Sequence, residues 1–141
     1  MNKCIALLAL ALCVLPQVAL SGDQNYGHLQ ARLLRVVDGD TIVVDIPGYP
    51  DIVGRNISVR LAGCDTPELR DKRVEVRRLA VEARELVRTV LANCRVLELR
   101  NARRGKYFRI VADVNADGED LAALLIRAGL GRPYDGGKKS W

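Results

Sequence analysis

The sequence predicts an α+β fold that is mainly β, a curled sheet of five strands closed around one long helix, with a second, short helix. Three observations predict it. Strand-like stretches occur at residues 33–37, 41–46, 57–61, 96–99 and 107–114, the first two rich in β-branched residues and the third alternating apolar and polar positions. A single unbroken helical stripe runs from Val76 to Leu91. The chain has 141 residues, room for one domain, and 49% of them are hydrophobic, enough for one core.

Taken in order, Met1-Asn2-Lys3 precedes an apolar run from Cys4 to Val14, then Pro16 and small residues near Ala19 and Ser21. This is the layout of a secretory signal peptide over residues 1–21. A short membrane anchor is the alternative, and Leu10-Ala11-Leu12-Cys13 resembles a lipoprotein box, although Leu before the Cys fits that box poorly. The expectation is an exported protein, secreted or periplasmic, without stable membrane association after cleavage, and a monomer. Residues 22–30 read as a polar linker, 31–134 as the folded domain and 135–141 as a basic tail.

Leu33–Val37 and Thr41–Ile46 flank Asp38-Gly39, a tight-turn signal, and form a hairpin. Pro47-Gly48-Tyr49-Pro50 breaks the second strand, leaving a loop over 47–55. Ile57–Leu61 is a third strand whose odd positions point inward and whose Arg60 points to the other face. Pro67 ends that unit. The helix over 76–91 places residues 76, 79, 80, 83, 86, 87, 90 and 91 on one stripe and charged residues opposite. Val96–Leu99 is a fourth strand, 101–105 a basic turn, and Tyr107–Val114 a fifth strand ended by Asp117-Gly118. Leu121, Leu124, Leu125 and Ala128 mark the short helix, with Gly129 as its cap. Three antiparallel strands cannot bury a core unaided, whereas five curled strands plugged by a long helix can. That is the arrangement of an OB-type barrel.

Composition narrows the function. The net charge is +5, which favours polyanionic partners. Aromatic residues make up only 4%, which argues against a broad stacking platform. Removing residues 1–21 leaves two cysteines, Cys64 and Cys94, which an exported chain could hold as a disulfide or as two buried thiols. Zinc is a poor fit, because no CxxC occurs and His28 is the only histidine.

Two segments carry the chemistry. Asp38-Gly39-Asp40-Thr41 and Arg60-Leu61-Ala62-Gly63-Cys64-Asp65-Thr66-Pro67-Glu68 each put carboxylates at a strand end. Asp40 and Asp65 together offer oxygen-only ligands, which suit Ca²⁺ or Mg²⁺. Arg60, and Arg109 after the basic turn, supply guanidinium forks that match phosphate oxygens. Glu68, fixed by Pro67, is placed to orient or deprotonate a water. Arg103, Arg104 and Lys106 read as general attraction for a polyanion.

These segments resemble the staphylococcal nuclease (thermonuclease) family. The resemblance runs from about Leu33 to Tyr134, through Val37-Asp38-Gly39-Asp40-Thr41, Arg60 to Glu68, Lys106-Tyr107-Phe108-Arg109 and Gly129-Leu130. It implies a five-stranded OB barrel and Ca²⁺-dependent hydrolysis of DNA and RNA that leaves 3′-phosphate ends. It implies metal ligation by Asp40, Asp65 and the Thr66 carbonyl, water positioning by Glu68, and phosphate binding by Arg60 and Arg109. Tyr107 and Tyr134 become candidates for nucleotide packing, although Tyr134 lies about one residue out of register. The loop over 47–55 is longer than in the staphylococcal enzyme. A disulfide from Cys64 to Cys94 would tie the metal loop to the end of the long helix. The competing reading is a non-catalytic OB module that binds nucleic acid or protein.

Overall fold

The computed structural model describes residues 25–137 and 141. The leader and residues 22–24 of the linker lie outside the described residues. Five long strands make the barrel: β1 (Leu29–Val36), β2 (Thr41–Asp45), β3 (Ile57–Leu61), β5 (Leu97–Arg104) and β6 (Ile110–Ala116). Short two-residue strands are β4 (Cys64–Asp65), β7 (Glu119–Asp120) and β8 (Arg132–Pro133). The helices are α1 (Asp51–Gly54), α2 (Val74–Ala92) and α3 (Leu121–Arg127). The main sheet runs β3-β2-β1-β5-β6-β7, and a parallel pairing of β3 with β6 closes it. This is the five-stranded barrel with a long and a short helix that the sequence predicts, with one extra helical turn in α1.

Alternation on the strands builds the core. Ile57, Val59 and Leu61 of β3 are buried, and Arg60 faces the other way, as period-two spacing demands. On α2, Ala80, Ala83, Val87 and Leu91 are buried. The two alanines keep the helix close to the barrel. A Cβ on Gly39 would sit 2.8 Å from the Ala83 Cβ and 2.9 Å from Thr66 Oγ1. Gly39 does not adopt a left-handed conformation. It is needed for the close approach of helix and loop, not for the backbone freedom that the Asp-Gly turn signal suggested.

Several boundaries differ from the sequence expectation. The first strand begins at Leu29, before Ala31, because residues 25–28 are already tied down: the Tyr26 amide donates to the Ala102 carbonyl at 2.7 Å. The loop at 47–55 contains α1, whose Gly54 carbonyl accepts from the Ile46 amide at 2.6 Å. The fourth strand does not end at Leu99. It continues to Arg104 through an irregularity between Arg100 and Arg103, where Asn101 is left-handed at φ 50°. Asn tolerates that conformation, so the basic stretch bulges where a turn was expected. The turn falls at 105–109 instead, and Tyr107 and Phe108 lie in it with φ of 57° and 56°. Arg109 therefore sits just ahead of β6, not inside a strand.

The end of the folded domain adds a short strand that the sequence did not predict. The backbone turns at Gly129, left-handed at φ 71°, just after the last residues of α3. Beyond it, β8 pairs antiparallel with β4, Cys64 opposite Pro133 and Asp65 opposite Arg132. No helix among the described residues is long and apolar enough to cross a membrane.

Candidate active site

The β1–β2 turn and the segment after β3 meet at one edge of the barrel. Pairing of β2 with β3 sets Thr41 opposite Arg60. The Leu61 amide donates to the Asp40 carbonyl at 2.8 Å, which locks the turn to the end of β3. Asp40 and Asp65 are 3% and 2% exposed. Buried carboxylates need partners, and these two share one. Arg60 Nη1 donates to Asp40 Oδ1 at 2.5 Å, and Nη2 donates to Asp65 Oδ1 at 2.8 Å. The Thr66 amide donates to Asp40 Oδ2 at 3.0 Å, and Thr41 Oγ1 to Asp40 Oδ1 at 3.0 Å. Asp40, Arg60, Asp65 and Thr66 are thus one bonded group.

Of the other candidates, Tyr134 is placed against this group. The Arg60 guanidinium carbon is 5.9 Å from the centroid of the Tyr134 ring, and the Tyr134 amide donates to the Gly63 carbonyl at 3.0 Å. Arg109 lies just ahead of β6, two residues before Val111, which pairs with Arg60. Its Nε is buried and makes no hydrogen bond among the described residues. Glu68 is exposed at the rim, after the buried Pro67. Tyr107 is 94% exposed at the tip of the 105–109 turn.

Two residues near the site were not singled out from the sequence. Trp141 Nε1 donates to the Asp65 carbonyl at 3.2 Å, and the Arg132 guanidinium lies 4.3 Å from the Trp141 ring. The signal was available in the only tryptophan of a chain poor in aromatics.

Electrostatics mark the cluster as negative in spite of Arg60. Burial pushes the Cys64 thiol up to about 12, with the charges of Asp40 and Asp65 adding to the shift. Burial raises the Asp38 carboxyl as well, helped by the neighbouring Asp40. Two ionised carboxylates against one guanidinium leave a net negative charge among oxygen donors, a setting that fits a hard divalent cation. Among the described residues no three His, Cys, Asp or Glu side chains are arranged to hold a metal ion, so such a cation would rely on two carboxylates, main-chain carbonyls and water. Cys64, buried, and Cys94, half-buried, are both free thiols here, where the sequence left a disulfide and free thiols as alternatives.

Residues 58–140 match the family model described as staphylococcal nuclease homologue. That span covers more than half of the chain and holds Arg60, Asp65, Thr66, Glu68 and Arg109. The chain belongs to the staphylococcal nuclease family. It is 31% identical over 113 residues to the thermonuclease of Staphylococcus hyicus, covering 79% of this chain and 63% of that protein. It is 31% identical over 136 residues to the thermonuclease of Staphylococcus intermedius, covering 91% of this chain and 77% of that one. The chain therefore spans less than two thirds of the Staphylococcus hyicus protein.

Proposed function

We propose that the chain is an exported, Ca²⁺-dependent nuclease that hydrolyses phosphodiester bonds in DNA and RNA, leaving 3′-phosphate ends. The observation that carries this reading is the buried pair Asp40 and Asp65 held by the fork of Arg60. A structural ion pair does not need two carboxylates at one barrel edge, in a family whose curated relatives are thermonucleases.

In this reading, Asp40, Asp65 and the Thr66 carbonyl hold the cation. When bound, Ca²⁺ supplies charge that polarises a phosphoryl oxygen. The remaining work belongs to side chains. Arg60 binds a non-bridging phosphate oxygen once its fork turns from the carboxylates, and Arg109, just ahead of the strand that pairs with β3, offers a second fork. Negative charge grows on the phosphoryl oxygens during in-line attack, so two guanidiniums stabilise the transition state more than the ground state. Glu68, at the rim, orients the attacking water. Tyr134 and Tyr107 line the approach of the nucleotide.

Incubation of purified protein with plasmid and with RNA, first with Ca²⁺ and then with chelator, tests the proposal. Cleavage that chelator abolishes is the expected result. Binding with no chelator-sensitive cleavage would instead favour a non-catalytic OB module.

A further inference from the structure

A second feature lies away from the carboxylates, at the barrel end formed by the start of β1, the end of β2 and the start of β3. It is a cleft of about 240 Å³. Its floor is apolar, from Ile46, Ile57 and Ile110, and Arg103 and Arg104 edge it. Three rings line it: Tyr26, Tyr49 and Phe108, which remain 52%, 51% and 55% exposed. They are half of the aromatic residues of a chain with one Trp, four Tyr and one Phe. The low aromatic content that argued against a broad platform thus conceals a local one.

Three separate segments deliver these rings. The Tyr26 amide donates to the Ala102 carbonyl at 2.7 Å. Tyr49 rides on the 47–55 loop, folded tightly enough that a Cβ on Gly54 would lie 2.8 Å from the Ile46 carbonyl oxygen. Phe108 is held out by the 105–109 turn, which the Gly105 amide closes on the Arg109 carbonyl at 2.6 Å. The Arg104 guanidinium stacks 4.8 Å from the Phe108 centroid.

An apolar ligand alone would not need the arginines, and a phosphate alone would not need the rings. A flat heterocycle joined to a phosphate uses both. We infer that this cleft is a second nucleic-acid site, which takes an unpaired base of a single-stranded polynucleotide and pairs its phosphate with Arg104. The inference rests on the reading above that the chain acts on polynucleotides. Charge favours this occupant, because Arg103 and Arg104 line the cleft on a chain with a net charge of +5. So does continuity. Phe108 adjoins Arg109, and Ile57 precedes Arg60 by three residues on β3, about 10 Å of strand. A polynucleotide with one phosphate at Arg60 reaches the cleft within a few nucleotides. A base must leave its stack to enter, so duplex is excluded from the cleft, and the site selects single strands.

Anisotropy in chelator, where nothing is cut, tests this with a short labelled oligothymidylate and with a duplex. Tyr49→Ala and Arg104→Gln should each lower single-strand affinity about tenfold, with little change for duplex. An oligonucleotide carrying 5-iodouridine should photocross-link to Tyr26, Tyr49 or Phe108. Tyr49 is half exposed on a loop, so its variant reads the cleft without threatening the core, and thermal melting checks that the fold is kept. Unchanged affinity in both variants, or cross-links confined to Tyr107 and Tyr134, overturns the inference. A protein that binds through the cleft but cuts nothing with Ca²⁺ keeps this site and sinks the nuclease reading. A protein that cuts while ignoring these residues does the reverse.

Discussion

Arg60 Nη1 lies 2.5 Å from Asp40 Oδ1, while the other arm of the same guanidinium holds Asp65 at 2.8 Å. The arginine is 15% exposed at its side chain and the two aspartates 4% and 3%, so a single guanidinium bridges two carboxylates that water hardly reaches. In the proposed reaction the same side chain has two duties. It keeps the carboxylates together at rest and then turns to the phosphate.

Arg60→Ala should therefore fail twice. Turnover on plasmid with Ca²⁺ should fall about 10³-fold, the scale seen when a transition-state donor is removed. Without Ca²⁺ the fold should lose about 3–5 kcal/mol, because two buried carboxylates are left facing each other. Ca²⁺ should restore part of that loss. Denaturant unfolding with and without Ca²⁺ checks this, and a stability deficit indifferent to Ca²⁺ would remove the cation from this pair.

Asp40→Asn keeps an oxygen for the Thr66 amide but deletes a charge. Calorimetry should show Ca²⁺ affinity reduced by about tenfold or more, equal to at least about 1.4 kcal/mol. Arg109→Ala should leave that affinity intact and lower kcat instead. Equal affinity in Asp40→Asn and the parent would overturn the ligand assignment.

Gly131 is buried against the site loop, where an added Cβ would lie 2.5 Å from Cys64 Sγ. Gly131→Ala should cost about 1–3 kcal/mol by overpacking. Cys64→Ala removes the opposing sulfur, so the double variant should recover most of that cost. Additive costs in a double-mutant cycle would show that the two positions do not press on each other.

Asp71 orders the entry to α2. Its carboxylate accepts from the Arg73 amide and Nε, both at 2.9 Å, and from Nη2 at 2.8 Å. The side-chain hydrogen bonds of Arg73 lower its carboxyl from 3.8 to about 2. A depressed folded value means that its contribution is present above about 3.8 and is lost as pH falls through about 2. Acid titrations followed by NMR should find this carboxyl well below the ordinary aspartate value of 3.8. Asp71→Asn should lose less stability than the parent between those pH values. Parallel acid curves would refute the linkage.

The strands and the long helix were legible because burial imposes a period. Ile57, Val59 and Leu61 could face inward in only one register, which turned Arg60 outward beside Thr41. Motif spacing likewise brought Asp40, Arg60 and Asp65 to one place. What stayed hidden depended on partners far away in sequence. Nothing local to Asn101 says that the strand will bulge and continue, since its side chain answers to Asp113, to which Nδ2 donates at 2.6 Å. Nothing local to Cys64 says that it will pair with Pro133, or local to Trp141 that its indole will reach Asp65. The aromatic cleft was hidden for the same reason, as its rings come from three segments that composition counts but cannot assemble.

The pairing of β4 with β8 carries one more consequence. A polypeptide still emerging from the ribosome has all five long strands well before residues 132–134 exist. Until they arrive, the segment bearing Asp65 lacks its neighbouring strand and the Gly63 carbonyl lacks its donor. If the proposed reaction holds, activity should appear only after the barrel strands have been made, and a protease that trims the chain just after α3 should abolish it while leaving the barrel folded.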